Sequence, residues 1–170
     1  AAYAAGAAAV TPNPRTHALH ADKRNLALLT DAAFLIGIGI DSECITTLQG
    51  GIAATRRVAK ADERALWANR DHLFFKSAAG FGSRAAYRGD KVTKRVFADI
   101  LAGDYVAQEL VPPSARAARI DGEKSMLKVD VRNYVYAGAV QLLAARLYKG
   151  QVTNMRTPGG GFAPVLVEAA

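Results

Sequence analysis

At 170 residues, 51% of them hydrophobic, the chain is long enough for one domain with a real core or for two small lobes sharing a hinge. Twenty-two Lys and Arg against 15 Asp and Glu give a formal net charge of +7, which favours anionic partners such as nucleotides, nucleic acid or acidic surfaces without choosing among them. The lone Cys44 excludes an internal disulfide, no Cys/His pattern suggests structural zinc, and a reducing, cytoplasmic compartment fits best.

The opening "AAYAAGAAAV" lacks both a basic start and a dense apolar centre, so it does not read as a secretory signal; residues 1–14 are expected to be an N-terminal arm. "PNP" at 12–14 reads as extended, and "THALHADKRNLALLTD" then predicts one helix through Leu19, Leu26 and Leu29. Asp31 and Asp41 are placed to cap two further helices, ending near Gly37 and at Gly50–Gly51. The run "AAFLIGIGI" at 32–40 falls well short of the roughly 20 apolar residues that span a bilayer, and no membrane partner is expected. "IAATRRV" (52–58) reads as extended, and Asp62 as the cap of a helix through Trp67. His17 and His20, three apart with no evident third ligand, read as surface histidines, and Trp67, Phe74 and Phe75 as core.

From residue 72 the period changes. "HLFFKSA" is a short apolar run ending in Lys76, hence a buried strand, and "AAYR" (85–88) is its return across a glycine loop. Thr93 caps the helix "KRVFADILA", and "YVAQELV" (105–111) is the next strand, stopped by Pro112 and Pro113. "SMLKVDVRNYVY" and "AVQLLAARLY" follow as two long strands joined at Ala137–Gly138, with Lys128, Asp130, Arg132, Tyr134 and Tyr136 on one face of the first. "FAPVLVE" is a last short strand. The order predicts an α+β fold with mixed or antiparallel sheets, and it contains neither a dinucleotide fingerprint nor a P-loop.

A nucleoside triphosphate needs cations or backbone N–H groups for its phosphates, an apolar slot for its base and oxygen ligands for its metal. Lys76 supplies a point charge and the small residues from Gly80 to Ser83 permit close approach. Arg132 and Arg146 supply guanidinium groups for phosphate or an oxyanion, and Asn154 supplies an amide. Each piece also has an ordinary reading: a solvated strand end, a hairpin turn, a cross-strand ion pair on an exposed face.

Taken in order, "ADKRNLALLTD…GI…ATRRV", "FFKSAAGFGSRAAY", "YVAQELV", "DVRNYVYAGAVQLLAARLYKGQVTN" and "GGGF" resemble the ATP-grasp ligases, most closely the circularly permuted branch related to glutathionylspermidine synthase, over roughly residues 11–167. The resemblance implies two small α+β lobes with a nucleotide cleft between them: a helical lead-in at 15–60, a small lobe at 61–111 and the antiparallel part of a large lobe at 112–170. It assigns Lys23 and Lys76 to the nucleotide, Gly80, Phe81, Gly82 and Ser83 to a flap over the phosphates, and Gln108, Glu109 and Val111 to the hinge that receives adenine and ribose. Asp130, Arg132, Arg146 and Asn154 would form the floor of the phosphate and acyl-acceptor site, with Arg132 and Arg146 catalytic and Asp130 and Asn154 toward magnesium. The implied activity is ATP- and Mg2+-dependent joining of a carboxylate to an amine through an acyl-phosphate. The chain departs from the family in having no Glu-x-Asn metal pair. A permuted member carries that pair upstream, so the resemblance implies a C-terminal portion completed by an upstream domain. Two other classes stand beside this one: a non-catalytic nucleotide-binding or partner-docking module, and, ranked last because the basic residues are scattered, a basic nucleic-acid-binding protein.

Overall fold

The computed structural model describes residues 1–80 and 85–168. The chain divides into two compact units, Ala1–Leu110 and Val111–Ala170.

The first unit opens with four short helices, α1 (Pro14–His20), α2 (Arg24–Leu29), α3 (Ala32–Gly37) and α4 (Ser42–Gly51). Asn13, Asp31 and Asp41 cap α1, α3 and α4 through side-chain oxygens that accept the amides of Thr16, Phe34 and Cys44. Strand β1 (Thr55–Arg57) leads to α5 (Glu63–Ala68), β2 (Leu73–Ser77), β3 (Ala86–Arg88), α6 (Lys94–Ala102) and β4 (Tyr105–Glu109). The four strands form an antiparallel sheet in the order β1-β4-β2-β3. One face, through Phe75 and Ala107, packs on Leu66 of α5 and on Val92, Phe97 and Ile100 around α6, with Trp67 and Leu73 at the margin. Thr93 caps α6 by accepting the Val96 amide, which holds the Phe97 and Ile100 stripe against the sheet.

The single helix expected over "THALHADKRNLALLTD" is two. Asp22 accepts the Arg24 amide at 2.8 Å, and the Lys23 amide donates to the Ala78 carbonyl at 3.0 Å instead of to the preceding turn. A short polar side chain that satisfies the backbone locally competes with helix continuation, and here it opens the chain at Lys23.

The second unit is an antiparallel sheet in the order β5-β6-β7-β8, from β5 (Ser114–Ile120), β6 (Glu123–Tyr136), β7 (Ala139–Tyr148) and β8 (Gly161–Pro164). Strand β5 is an addition to the expected set, and the last strand ends at Pro164 rather than continuing through Glu168. Both tight hairpins turn on two residues at positive φ: Asp121 (50°) and Gly122 (85°) between β5 and β6, and Ala137 (49°) and Gly138 (78°) between β6 and β7. Leu127, Ala145 and Tyr148 are its buried side chains. The α+β class describes the whole chain, but the expectation of two α+β lobes is corrected: among its described residues the second unit carries no helix, and every sheet pairing in both units is antiparallel.

Candidate functional site

The sheet of the first unit has a second face, opposite the helical core, and the candidate residues meet on it. Thr55 of β1 stands opposite Gln108 of β4, Gln108 stands opposite Phe74 of β2, and Lys76 lies two residues beyond Phe74. With side chains alternating along a strand, Thr55, Gln108 and Lys76 therefore share this face, while Phe75 and Ala107 point into the core.

A chain of hydrogen bonds joins them. The Lys76 Nζ donates to Gln108 Oε1 at 2.5 Å, Gln108 Nε2 donates to Thr55 Oγ1 at 2.8 Å, and Thr55 Oγ1 donates to the Ala53 carbonyl at 2.8 Å. Thr30 at the end of α2 ties in from the other side: its hydroxyl accepts the Thr55 amide at 3.2 Å, and its single proton lies between the Leu26 carbonyl at 2.9 Å and the Thr55 carbonyl at 3.1 Å. Lys23, freed from the helix, donates its Nζ to the Gly80 carbonyl, three residues past the end of β2. The break is held by Arg24, whose guanidinium reaches Asp22 at 2.5 Å and Asp104, before β4, at 2.9 Å. The Arg24 hydrogen bonds in turn hold the Asp22 carboxyl below its ordinary range.

The electrostatics of this face are unbalanced. Among the described residues, neither Lys23 nor Lys76 has a carboxylate within ion-pair distance. Lys76 is half-buried, and its pKa lies below the ordinary lysine value, first because burial penalises the ammonium and second because the Lys23 charge repels it. Lys76 is thus a cation partly stripped of water, repelled by a second cation and hydrogen-bonded to a neutral amide.

The remaining candidates are spread out. Glu109 follows Gln108 on β4, so its side chain belongs to the opposite face of the sheet, and it is exposed. Val111 lies beyond the end of β4 and is exposed. Phe81, Gly82 and Ser83 lie outside the described residues. Thr55, which no sequence feature singled out, is the buried polar residue of the face at 8% exposure. Its neighbours "AATRRV" read as a generic extended segment, and only the β1–β4 register reveals its partner.

In the second unit, Asp130 of β6 stands opposite Arg146 of β7, and the two form an ion pair at 2.5 Å. The second carboxylate oxygen of Asp130 accepts the Thr153 hydroxyl at 3.2 Å. Arg132 shares their face, exposed, with its guanidinium 5.9 Å from the Tyr134 ring. Asn154 directly follows Thr153, but its Oδ1 accepts the Arg156 amide at 3.1 Å. The donor pair expected for magnesium is thus engaged internally: both Asp130 oxygens and the Asn154 oxygen already have partners. No group of three or more His, Cys, Asp or Glu side chains converges among the described residues. Packing bears on two glycines of the triplet, while Gly161 has open space around it and a φ of 140°. A Cβ on Gly159 would meet Ile120 Cδ1 at 2.1 Å, and one on Gly160 would meet the Thr157 and Leu147 carbonyl oxygens at 2.8 and 2.9 Å. No helix among the described residues is long and apolar enough to cross a membrane.

No family model matches the chain, and no curated protein matches it.

Proposed function

We propose that the chain is the ATP-binding portion of an ATP-dependent carboxylate–amine ligase of the circularly permuted ATP-grasp type. What carries the reading is the pairing of Lys23, the residue before α2, with Lys76 of β2: the Lys23 charge acts on Lys76, its Nζ bonds the Gly80 carbonyl, and neither lysine has a carboxylate partner among the described residues. A polyphosphate supplies the missing counter-charge, and Lys76 and Lys23 would hold its oxygens. The reading assigns Arg132 and Arg146 to the phosphoryl oxygens of an acyl-phosphate, and the amine displaces that phosphate to give an amide. Arg132 is exposed and has no ion-pair partner among the described residues, so its guanidinium is available for this role. Magnesium belongs to the family chemistry, but the Asp130–Asn154 pair as arranged does not fit it, since Arg146, Thr153 and the Arg156 amide already engage its oxygens.

A second reading has its own observation. Asp130 spends both oxygens on Arg146 and Thr153, as a structural ion pair does, which favours a nucleotide-binding module without turnover.

Calorimetric titration with ATP and Mg2+ tests the first part of the reading. Wild type is expected to bind, and Lys76→Ala to bind at least about tenfold more weakly, since hydrogen bonds to charged groups are worth about 1.5–3 kcal/mol. Equal affinity in the two proteins would remove Lys76 from the site. ADP release in the presence of candidate carboxylates and amines would separate the ligase from the silent module.

A further inference from the structure

Lys76 is held by an amide and not by a carboxylate, and the orientation of that amide is fixed twice. The Thr55 hydroxyl has one proton, and it goes to the Ala53 carbonyl, so the hydroxyl meets Gln108 with a lone pair. Only the NH2 end of Gln108 fits there. The oxygen end is then left facing the Lys76 ammonium. Rotating the amide by a half turn would set its NH2 against the ammonium, donor against donor. It would also require the Thr55 proton to leave the Ala53 carbonyl. Thr55 is itself fixed, buried and bonded at its amide and carbonyl to the Thr30 hydroxyl.

We infer that Thr55 is a positioning residue for Lys76: its hydroxyl locks the Gln108 amide with the oxygen toward the ammonium, which holds that ammonium in place and leaves its charge unspent for the polyphosphate of a nucleoside triphosphate. A carboxylate at 108 would hold the ammonium as well but would cancel the charge. A free amide would preserve the charge but not the position. The combination of Thr55, Gln108 and Lys76 does both, and Thr30 extends the lock back to α2. The inference rests on the nucleotide reading of the same face, and it adds a residue and a reason for an amide at position 108.

The test uses the whole chain as wild type, Thr55→Val, Thr55→Ser and Gln108→Glu, with two readouts. The first is the titration of Lys76 followed by NMR of 13C-labelled lysine side chains, the Lys76 signal being assigned by its loss in Lys76→Arg. The second is calorimetry with ATP and Mg2+. Thr55→Val, close in shape but unable to accept a hydrogen bond, frees the amide. It should lower the Lys76 titration midpoint below that of wild type, because an acceptor of the ammonium is lost, and weaken ATP binding about tenfold. Thr55→Ser restores the hydroxyl and should match wild type in both. Gln108→Glu should raise the Lys76 midpoint and weaken ATP, since the new carboxylate competes with phosphate. A Lys76 titration unchanged by Thr55→Val, or moved as much by Thr55→Ser, overturns the inference. If Thr55→Val does not fold, an unmoved midpoint in Gln108→Glu overturns it instead. Absence of ATP binding by wild type would count against the nucleotide reading, while the titration arm would still decide whether Thr55 positions Lys76.

Discussion

Lys76 carries a cost that a purely structural residue would not. Its pKa lies below the ordinary 10.5 because burial and the Lys23 charge both disfavour the ammonium, so the folded state binds this proton less tightly than the unfolded chain does. Below both values Lys76 is charged in either state, and the folded protein bears the full cost. As pH rises from the depressed folded value toward 10.5, the folded state releases its proton first, the cost disappears and stability increases. Tyr105 acts in the opposite sense, since burial raises its pKa and its neutral form is the one the fold accommodates; that contribution is lost as pH rises above 10. Comparison with Lys76→Met isolates the lysine, because Tyr105 is common to both proteins. The melting temperature of wild type relative to Lys76→Met is therefore expected to climb across the alkaline range as pH approaches 10.5. A difference that stays flat across that range would mean that Lys76 sits in ordinary solvent. The lysine was visible in the sequence as the polar end of an apolar run, but its environment was not. The cost comes from burial and from Lys23, 53 positions earlier, while a glutamine 32 positions later accepts the ammonium proton, and only the β2–β4 register and the break after α1 bring these groups alongside.

At the level of elements, the sequence was readable wherever local chemistry decides the outcome. The Asp31, Asp41 and Thr93 caps sit where their side chains satisfy helix amides, and β7 runs from Ala139 to Tyr148 as its alternation and the Ala-Gly turn imply. Strand β5 was not legible in the same way. "SARAARI" offers small and charged residues with little β-propensity, and it is a strand because Ser114–Ile120 pairs along β6 and because Asp121–Gly122 supplies a turn of the right twist. The two hairpins make a natural comparison. Each needs positive φ at both turn residues. Asp121 tolerates that conformation better than Ala137, whose Cβ crowds the carbonyl in the left-handed region. Ala137→Asn is expected to stabilise the second unit by about 1 kcal/mol, because asparagine accepts the left-handed region at lower cost. Chemical denaturation followed by amide exchange at Leu127 would read it, and a destabilised variant would show that the Ala137 methyl contributes more than its strain costs.

Over the whole molecule, the charge is shared unevenly with respect to length. Residues 111–170 hold eight Lys and Arg against four Asp and Glu, whereas 1–110 hold fourteen against eleven. The larger excess per residue is thus in the second unit, yet the partly buried lysine with no carboxylate partner among the described residues is in the first, so the anion site proposed here does not follow the overall charge. The two units also have their own sheets and their own buried side chains, and the single tryptophan reports on only one of them. Trp67 packs edge-on against Phe97 at 5.0 Å within the first unit's core, on the far side of the sheet from Lys76. Binding to the folded form alone raises stability by RT ln(1 + [L]/Kd), about 2.7 kcal/mol at a hundredfold excess over Kd. With ATP and Mg2+ at that excess, the Trp67-monitored melting midpoint is expected to rise by several degrees, and by only about half as much for Lys76→Ala at the same concentrations, since a tenfold weaker Kd leaves about 1.4 kcal/mol. A nucleic-acid-binding protein predicts a different pattern: little response to ATP, and a midpoint that rises with single-stranded oligonucleotide at low salt and falls back steeply as salt is added. An equal rise with ATP in wild type and Lys76→Ala would place the nucleotide away from this face of the sheet and withdraw the role given to Lys76 in the ligase reading, while the Lys76 titration alone decides whether Thr55 positions that lysine.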